Sequence, residues 1–187
     1  MSTLPPASPA SQLNRVCAWL LLGLSVLTTL WSVGQLGAAL AMDHYGAQQW
    51  LASHGLMASG LLGWVVAHAS ALSALQLLSC LPCIAIAVGM LRGNNWARLG
   101  FIALLLLTAV LNLATLPLLD RLLMDLLTPM LAQISNSGDA SELITELRDA
   151  RIMLWVSSGL PLLALSAIHV WLARRFDRAD IRALFSR

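Results

Sequence analysis

The residues best suited to chemistry are two cysteines spaced as Cys80-Leu81-Pro82-Cys83. Thiol redox enzymes use such pairs, but they need an accessible edge and a second exchanging pair. Here both cysteines lie inside a long apolar stretch, and the only other cysteine, Cys17, lies in another. We therefore expect Cys80 and Cys83 to pack as small apolar residues, with a thiol redox role as an alternative.

The four histidines offer a second kind of chemistry. His44, His54 and His68 are predicted near one membrane interface and His169 near the other. A bis-histidine haem needs two ligands at the same depth, which only His44 and His68 could provide. Metal ligation by His44, His54 and Asp43 lacks a diagnostic spacing. We expect no cofactor and no metal, with haem or metal binding as an alternative.

Polar groups inside the apolar stretches are few and uncharged. The stretches contain no carboxylate, and the chain has no Gly-rich phosphate loop and no Ser-His-Asp pattern. Ion-coupled transporters commonly keep a charged residue within a span, so a self-contained secondary transporter is disfavoured. Gln35, Gln76 and Asn112 are predicted to make interhelical hydrogen bonds, the alternative being that they line a substrate path. The sequence therefore predicts a protein that is not an enzyme.

Composition indicates the class of protein. The 187 residues are 58% hydrophobic and 11% charged, with a mean hydropathy of +0.77, which is typical of an integral membrane protein. A net charge of +2 is too small to indicate nucleic-acid binding. The fold class that we predict is an all-α bundle of four transmembrane helices.

The boundaries follow from charges and turn residues. We predict a disordered tail over 1–15, a membrane domain over 16–174, and a basic tail over 175–187. Proline 117 is predicted to end the third span. Ala39-Leu40-Ala41 has the form of a signal-peptide cleavage site, but the apolar run before it, about 25 residues, exceeds the usual ~7–15. The four predicted spans are 16–42, 60–91, 99–118 and 152–173.

Residues 119–151 form the only long segment outside the spans, and they hold six of the nine acidic residues. Their apolar residues recur at steps of three and four, which predicts an amphipathic helical hairpin. A turn is predicted over 135–138, with Asp139 capping a second helix that continues into the fourth span. We expect a partner to bind the acidic side chains of this hairpin: Asp120, Asp125, Glu142, Glu146 and Asp149.

Arginine placement predicts the orientation. Eight of the eleven arginines lie in the N-terminal tail, the 92–98 turn or residues 174–187, whereas seven of the nine acidic residues lie in the 43–59 loop or in segment 119–151. The positive-inside rule then places both termini in the cytoplasm, in a membrane that we take to be a bacterial inner membrane. The C-terminal residues are predicted to form an amphipathic helix with Phe176, Ile181, Leu184 and Phe185 on its apolar side.

Small residues predict where helices approach closely. Gly34 and Ala38 in the first span, and Gly63, Ala67 and Ala71 in the second, recur at intervals of four. Such rows allow helix backbones to come together in lipid, so we expect these two spans to pack as a hairpin.

The function predicted from these patterns is a non-catalytic interaction or accessory subunit of a membrane complex. Its expected partners are membrane lipid and either another membrane protein or a second copy of itself, without nucleic acid. One alternative is an oligomeric small channel, transporter component or lipid-handling protein. The other is a cofactor-binding or thiol redox membrane protein.

Overall fold

The computed structural model of the chain describes residues 8–46, 49, 53, 60–134 and 140–185. For residues 62, 126–134, 140–144 and 147 the description is limited to the backbone. Within these ranges the chain forms helices and turns and no β-strand. The helices are α1 Pro9–His44, α2 Gly60–Ala67, α3 Ala69–Leu91, α4 Asn95–Ile134, α5 Ala140–Phe176 and α6 Ala179–Arg182, followed by the 3-10 helix Ala183–Phe185.

Four of these helices are long and apolar enough to cross a membrane, as predicted from length and composition. Many of their apolar side chains are exposed, Trp31 by 67% and Leu160 by 75%. Contiguous apolar surface of this kind suits lipid and not water, so the fold is compatible with a multi-pass membrane protein. The four segments are Pro9–His44, Ala69–Leu91, Asn95–Asp125 and Arg148–Phe176, and within them 18-residue windows reach mean hydropathies of 1.9, 2.1, 2.3 and 1.6.

Helix α1 begins seven residues before the predicted start of the first span. The Ser11 amide donates a hydrogen bond to Ser8 Oγ at 3.3 Å, and the Ser11 hydroxyl donates to the Ser8 carbonyl at 2.8 Å. Serine is a favoured N-cap, and proline suits the first helical position because its missing N–H has no partner there. Ser8-Pro9 is therefore the start signal, and residues 9–15, predicted to belong to the tail, are helical.

Helix α4 continues well beyond the predicted end of the third span. It passes through Pro117 and Pro129 and ends at Ile134, so Pro117, predicted to mark the end of the third span, does not interrupt the helix. A proline removes one backbone donor, a loss that apolar helices tolerate when neighbouring groups compensate. Helix α5 runs unbroken from Ala140 to Phe176, so the later part of segment 119–151 and the apolar run 152–173 lie in one helix. The predicted turn and Asp139 lie outside the described residues.

The chain divides into two compact units. The first unit is drawn from Met1–Leu36, Ser73–Thr108 and Ile168–Arg187, and the second from Gly37–Leu72 and Ala109–Ala167.

The core of the first unit is built around the C-terminal residues. Phe176 and Ile181 are fully buried, Phe185 is 4% exposed, and Leu184 packs against them. The Phe176 ring meets Phe101 edge to face, with 4.8 Å between ring centroids. The four residues predicted for the apolar side of the C-terminal helix thus pack into the core of this unit.

A buried arginine of the same unit bonds to the end of α5. Arg98 is only 6% exposed, and its Nη1 donates to the carbonyl of Phe176 at 3.2 Å. Its Nε donates to Asn95 Oδ1 at 3.0 Å, and Nη1 also lies 3.4 Å from Asp177 Oδ1. The last carbonyls of a helix have no partner within it, so Arg98 satisfies one of them at the end of α5.

The second unit joins α4 to α5 through small polar and apolar contacts. Ser166 is buried, and its hydroxyl lies 3.1 Å from the Ala109 carbonyl and 2.8 Å from the Leu162 carbonyl. A methyl group at Gly159 would lie 3.7 Å from Leu116, which is ordinary contact distance. An interhelical hydroxyl contact beside a glycine is a common means of helix association in lipid.

Two ion pairs link residues of the C-terminal segment outside the apolar core. Arg175 bonds both carboxylate oxygens of Asp180, at 2.8 and 2.7 Å, and Arg182 Nη2 lies 2.9 Å from Asp177 Oδ1. The hydrogen bond from Arg182 lowers the pKa of Asp177, and the one from Arg175 lowers the pKa of Asp180. Both carboxylates are therefore stabilised in the charged form.

We predict that Arg98→Ala destabilises the protein by about 2 kcal/mol, because a charge-assisted hydrogen bond is lost and a helix-end carbonyl loses its partner. The free energy of unfolding in mixed micelles measures this change. Arg178→Ala, at an exposed arginine, is the matched control and should change little. Arg98→Lys should recover only part of the loss, because an ammonium lacks the planar fork. Equal stability of Arg98→Ala and wild type would contradict the structural role.

We also predict that stability falls in acid through Asp177 and Asp180. Because their pKa values are lower in the folded state, they stabilise it fully above the ordinary aspartate pKa of about 3.9. That stabilisation is lost as the pH falls through the lowered values. Thermal unfolding at pH 6 and pH 3 should show a smaller acid loss in Asp177→Asn/Asp180→Asn than in wild type. Identical losses would exclude the two carboxylates as the cause.

Candidate functional site

Segment 119–151 contains a side-chain pair that joins its two helices. Arg151 Nε donates to Asp120 Oδ1 at 2.8 Å, and Nη2 donates to Oδ2 at 2.7 Å. The Asp120 side chain is 16% exposed and that of Arg151 is 42% exposed. A fork-to-fork pair fixes orientation as well as distance. Asp120 therefore helps to set how α4 and α5 approach each other within the second unit.

Asp125 holds the start of α2. Its Oδ2 accepts a hydrogen bond from the amide of Leu61 at 2.6 Å. A carboxylate at a helix N-terminus satisfies a free amide and is favoured by the helix dipole. Gly60 precedes this amide with φ +64°, and a methyl group there would lie 2.6 Å from Asp125 Oδ2. The residue at 60 must therefore be glycine for the carboxylate to reach the helix.

The other acidic residues of the segment whose side chains are described lie at the surface of the protein. Glu146 and Asp149 are exposed on α5. Asp149 Oδ1 lies 3.7 Å from Arg148 Nε, but both side chains are more than 60% exposed, so the pair contributes little stability. The side chain of Glu142 lies outside the described residues. Of the five predicted partner-binding acids, Glu146 and Asp149 are the ones that the structure presents at the surface.

The small residues predicted to pack helices lie mostly at the surface. Gly34 and Ala38 are exposed, and a methyl group at Gly34 would meet nothing within 4 Å. Gly63 is half-buried, whereas Ala67 and Ala71 are exposed. After Ala10, the buried positions of α1 are instead spaced by seven residues: Ala18, Ser25, Ser32 and Ala39.

The predicted intramembrane polar residues occupy different environments. Gln35 is half-buried, and its Oε1 is buried without a hydrogen-bond partner in the described part of the chain. Gln76 is exposed, and its carbonyl lies 2.6 Å from Ser79 Oγ and 3.4 Å from Cys80 Sγ. Asn112 is half-buried.

The cysteines and histidines of the described ranges show no assembled reactive centre. Cys80 is buried and Cys83 half-buried, and both are free thiols. His68 stacks on Trp64 with 4.6 Å between ring centroids, and its Nδ1 lies 2.8 Å from the Trp64 carbonyl. Among the residues searched, no three His, Cys, Asp or Glu side chains converge as metal ligands. His54 lies outside the described residues.

Comparisons of the chain with protein-family models, curated protein sequences and solved structures find no match.

The contacts of Asp120 and Asp125 were missed in the sequence analysis, although one of them carried a signal. Asp120 and Arg151 lie about equally far from the predicted 135–138 turn, and antiparallel helices joined by a short turn bring such positions to one level. No comparable spacing relates Asp125 to Leu61. That contact depends on where α2 begins, and nothing local to Asp125 indicates it.

We predict that Asp125→Ala lowers stability by about 1 kcal/mol through loss of the helix cap. Gly60→Ala should cost at least as much, because alanine disfavours positive φ and its methyl group would displace the carboxylate. In a protein that already carries Asp125→Ala, the Gly60→Ala substitution should lower stability by less, because the clash with the carboxylate is absent. Urea or SDS titration of the three variants measures this coupling. Strictly additive losses would mean that the two residues do not interact.

Proposed function

We propose that this protein is a non-catalytic accessory subunit that binds another membrane protein through the exposed acidic face of α5. The observation that carries the proposal is that the acidic side chains of segment 119–151 differ in whether they are hydrogen-bonded within the chain. Asp120 and Asp125 are bonded inside the chain, whereas within the described residues Glu146 and Asp149 make no comparable contact. Exposed carboxylates without such a hydrogen bond are the ones available to a partner.

Helix length supports a surface beyond the lipid. Helix α5 has 37 residues and is about 56 Å long at ~1.5 Å per residue. A hydrocarbon core of about 30 Å covers only part of it. Glu146 and Asp149 lie in its first turns, before the apolar run that begins at Ile152. These acids are therefore suited to contacts in water, close to the headgroups.

We further propose the location and orientation of the protein. The excess of arginine in the N-terminal tail, the 92–98 turn and the C-terminal tail favours a bacterial inner membrane protein with both termini in the cytoplasm. Segment 119–151 is then extracytoplasmic. Its partner should present a basic surface there, because opposite charges at the rim of an interface steer association and select the partner.

A homo-oligomer is the second candidate, in the form of a small channel, transporter component or lipid-handling assembly. It is favoured by one face of α1, where Gly34 and Gly37 are exposed and a methyl group on either would meet nothing within 4 Å. Such a face allows two copies to approach closely in lipid.

We predict that Glu146→Lys/Asp149→Lys abolishes retention of the partner, with affinity at least about tenfold weaker. Native mass spectrometry of the tagged protein, extracted from its own membrane in mild detergent, measures the retained polypeptide and its stoichiometry. Asp43→Lys is the matched control, because Asp43 is exposed, belongs to the same unit and lies outside the segment.

The outcomes separate the two candidates. A different polypeptide of fixed stoichiometry that is lost only in the double variant supports the accessory role. Retention of that polypeptide by the double variant contradicts α5 as the binding surface. A homo-oligomer without any second polypeptide would replace the first proposal by the second.

A further inference from the structure

A polar cavity opens in the first unit beside the turn between α3 and α4. Its volume is about 370 Å³, and its wall includes Ser11, Asn14, Arg15, Arg92 and Gly93. Asn14 Nδ2 donates to the Met90 carbonyl at 3.3 Å, which ties the beginning of α1 to the end of α3. The cavity therefore has a wall that is fixed by a long-range hydrogen bond.

The two arginines of this cavity lack carboxylate partners in the described part of the chain. Elsewhere in the same unit Arg98, Arg175 and Arg182 each lie within 4 Å of an aspartate. Arg15 and Arg92 have no such pair and are exposed. Two uncompensated guanidinium groups around one cavity favour an anion with several acceptor oxygens, and a phosphate has this form.

Arg92 also belongs to a second depression, an apolar groove along α3. This groove has a volume of about 370 Å³ and is lined by Leu81, Ile84, Ala85 and Val88, with Arg92, Asn94 and Trp96 at one end. The apolar residues recur at steps of three and four, so they form one stripe about 10 Å long. The exposed indole of Trp96 suits the boundary between hydrocarbon and water.

We propose that the first unit binds one anionic phospholipid. Its phosphate lies between Arg15 and Arg92, and one acyl chain lies along the groove from Val88 to Leu81. A soluble phosphate would use the cavity alone, whereas a phospholipid uses both depressions that share Arg92. Arginine beside an apolar surface is the pairing that anionic lipids require. The site is independent of the acidic face of α5.

Native mass spectrometry with added dioleoyl phosphatidylglycerol tests the site, with dioleoyl phosphatidylcholine as the neutral comparison. We expect one phosphatidylglycerol to bind more tightly than phosphatidylcholine. Arg15→Gln and Arg92→Gln should each weaken its binding about fivefold. Arg178→Gln removes the same charge from an exposed position that lines neither depression, and should leave binding unchanged. Thermal unfolding of each variant confirms that it is folded.

A second pair of variants tests the acyl chain. Ala85→Phe fills the groove and should also weaken phosphatidylglycerol binding, whereas Ala103→Phe, at an exposed alanine of α4 outside the groove, should not. If Arg15→Gln, Arg92→Gln and Arg178→Gln weakened phosphatidylglycerol binding equally, the cause would be general surface charge, and the proposal would be overturned. Displacement of the lipid by equimolar glycerol phosphate, or equal binding of phosphatidylcholine, would overturn it as well.

Discussion

The guanidinium of Arg98 is the group on which the first unit depends. It is almost fully buried in the part of the chain that the structure describes, and it reaches the carbonyl that ends α5. A buried charge is costly unless its donors are satisfied, so this contact fixes where the end of α5 lies relative to the beginning of α4. Phe176 then meets Phe101 at that end, and the C-terminal segment folds back over both. Without Arg98 these apolar contacts would lack a defined register.

The same principle operates with weaker groups in the apolar helices. Lipid removes most of the hydrophobic drive between helices, because a lipid-facing leucine gains little by moving to another apolar contact. What remains is close packing and hydrogen bonding. The hydroxyls of the buried serines of α1 donate hydrogen bonds, 2.7 Å long, to backbone carbonyls one turn earlier. These hydroxyls are therefore buried with their hydrogen-bond donors satisfied. Ser166 does this and also reaches the Ala109 carbonyl.

Sequence patterns predicted the elements better than their contacts. Three of the four predicted apolar runs lie within single helices, and the run over 60–91 forms α2 and α3. The spacing of Phe176, Ile181 and Phe185 predicted an apolar face, because periodicity is a local property. The start of α1 was missed, although Ser8-Pro9 signals it locally. The continuation of α4 past Pro117 could not be predicted, since tolerance of a proline depends on its neighbours in space. The burial of Arg98 was equally hidden, because its partner lies 78 residues away.

The acids of segment 119–151 show how internal contacts narrow a functional hypothesis. By composition alone all five candidate residues are equivalent. The structure separates them, because a carboxylate already bonded to Arg151 or to the Leu61 amide must give up that contact before it can bind a partner. Breaking a charge-assisted hydrogen bond offsets much of what a new one contributes. Glu146 and Asp149 have no such bond among the described residues, so under the proposed function a partner that recognises negative charge would gain most at these two side chains.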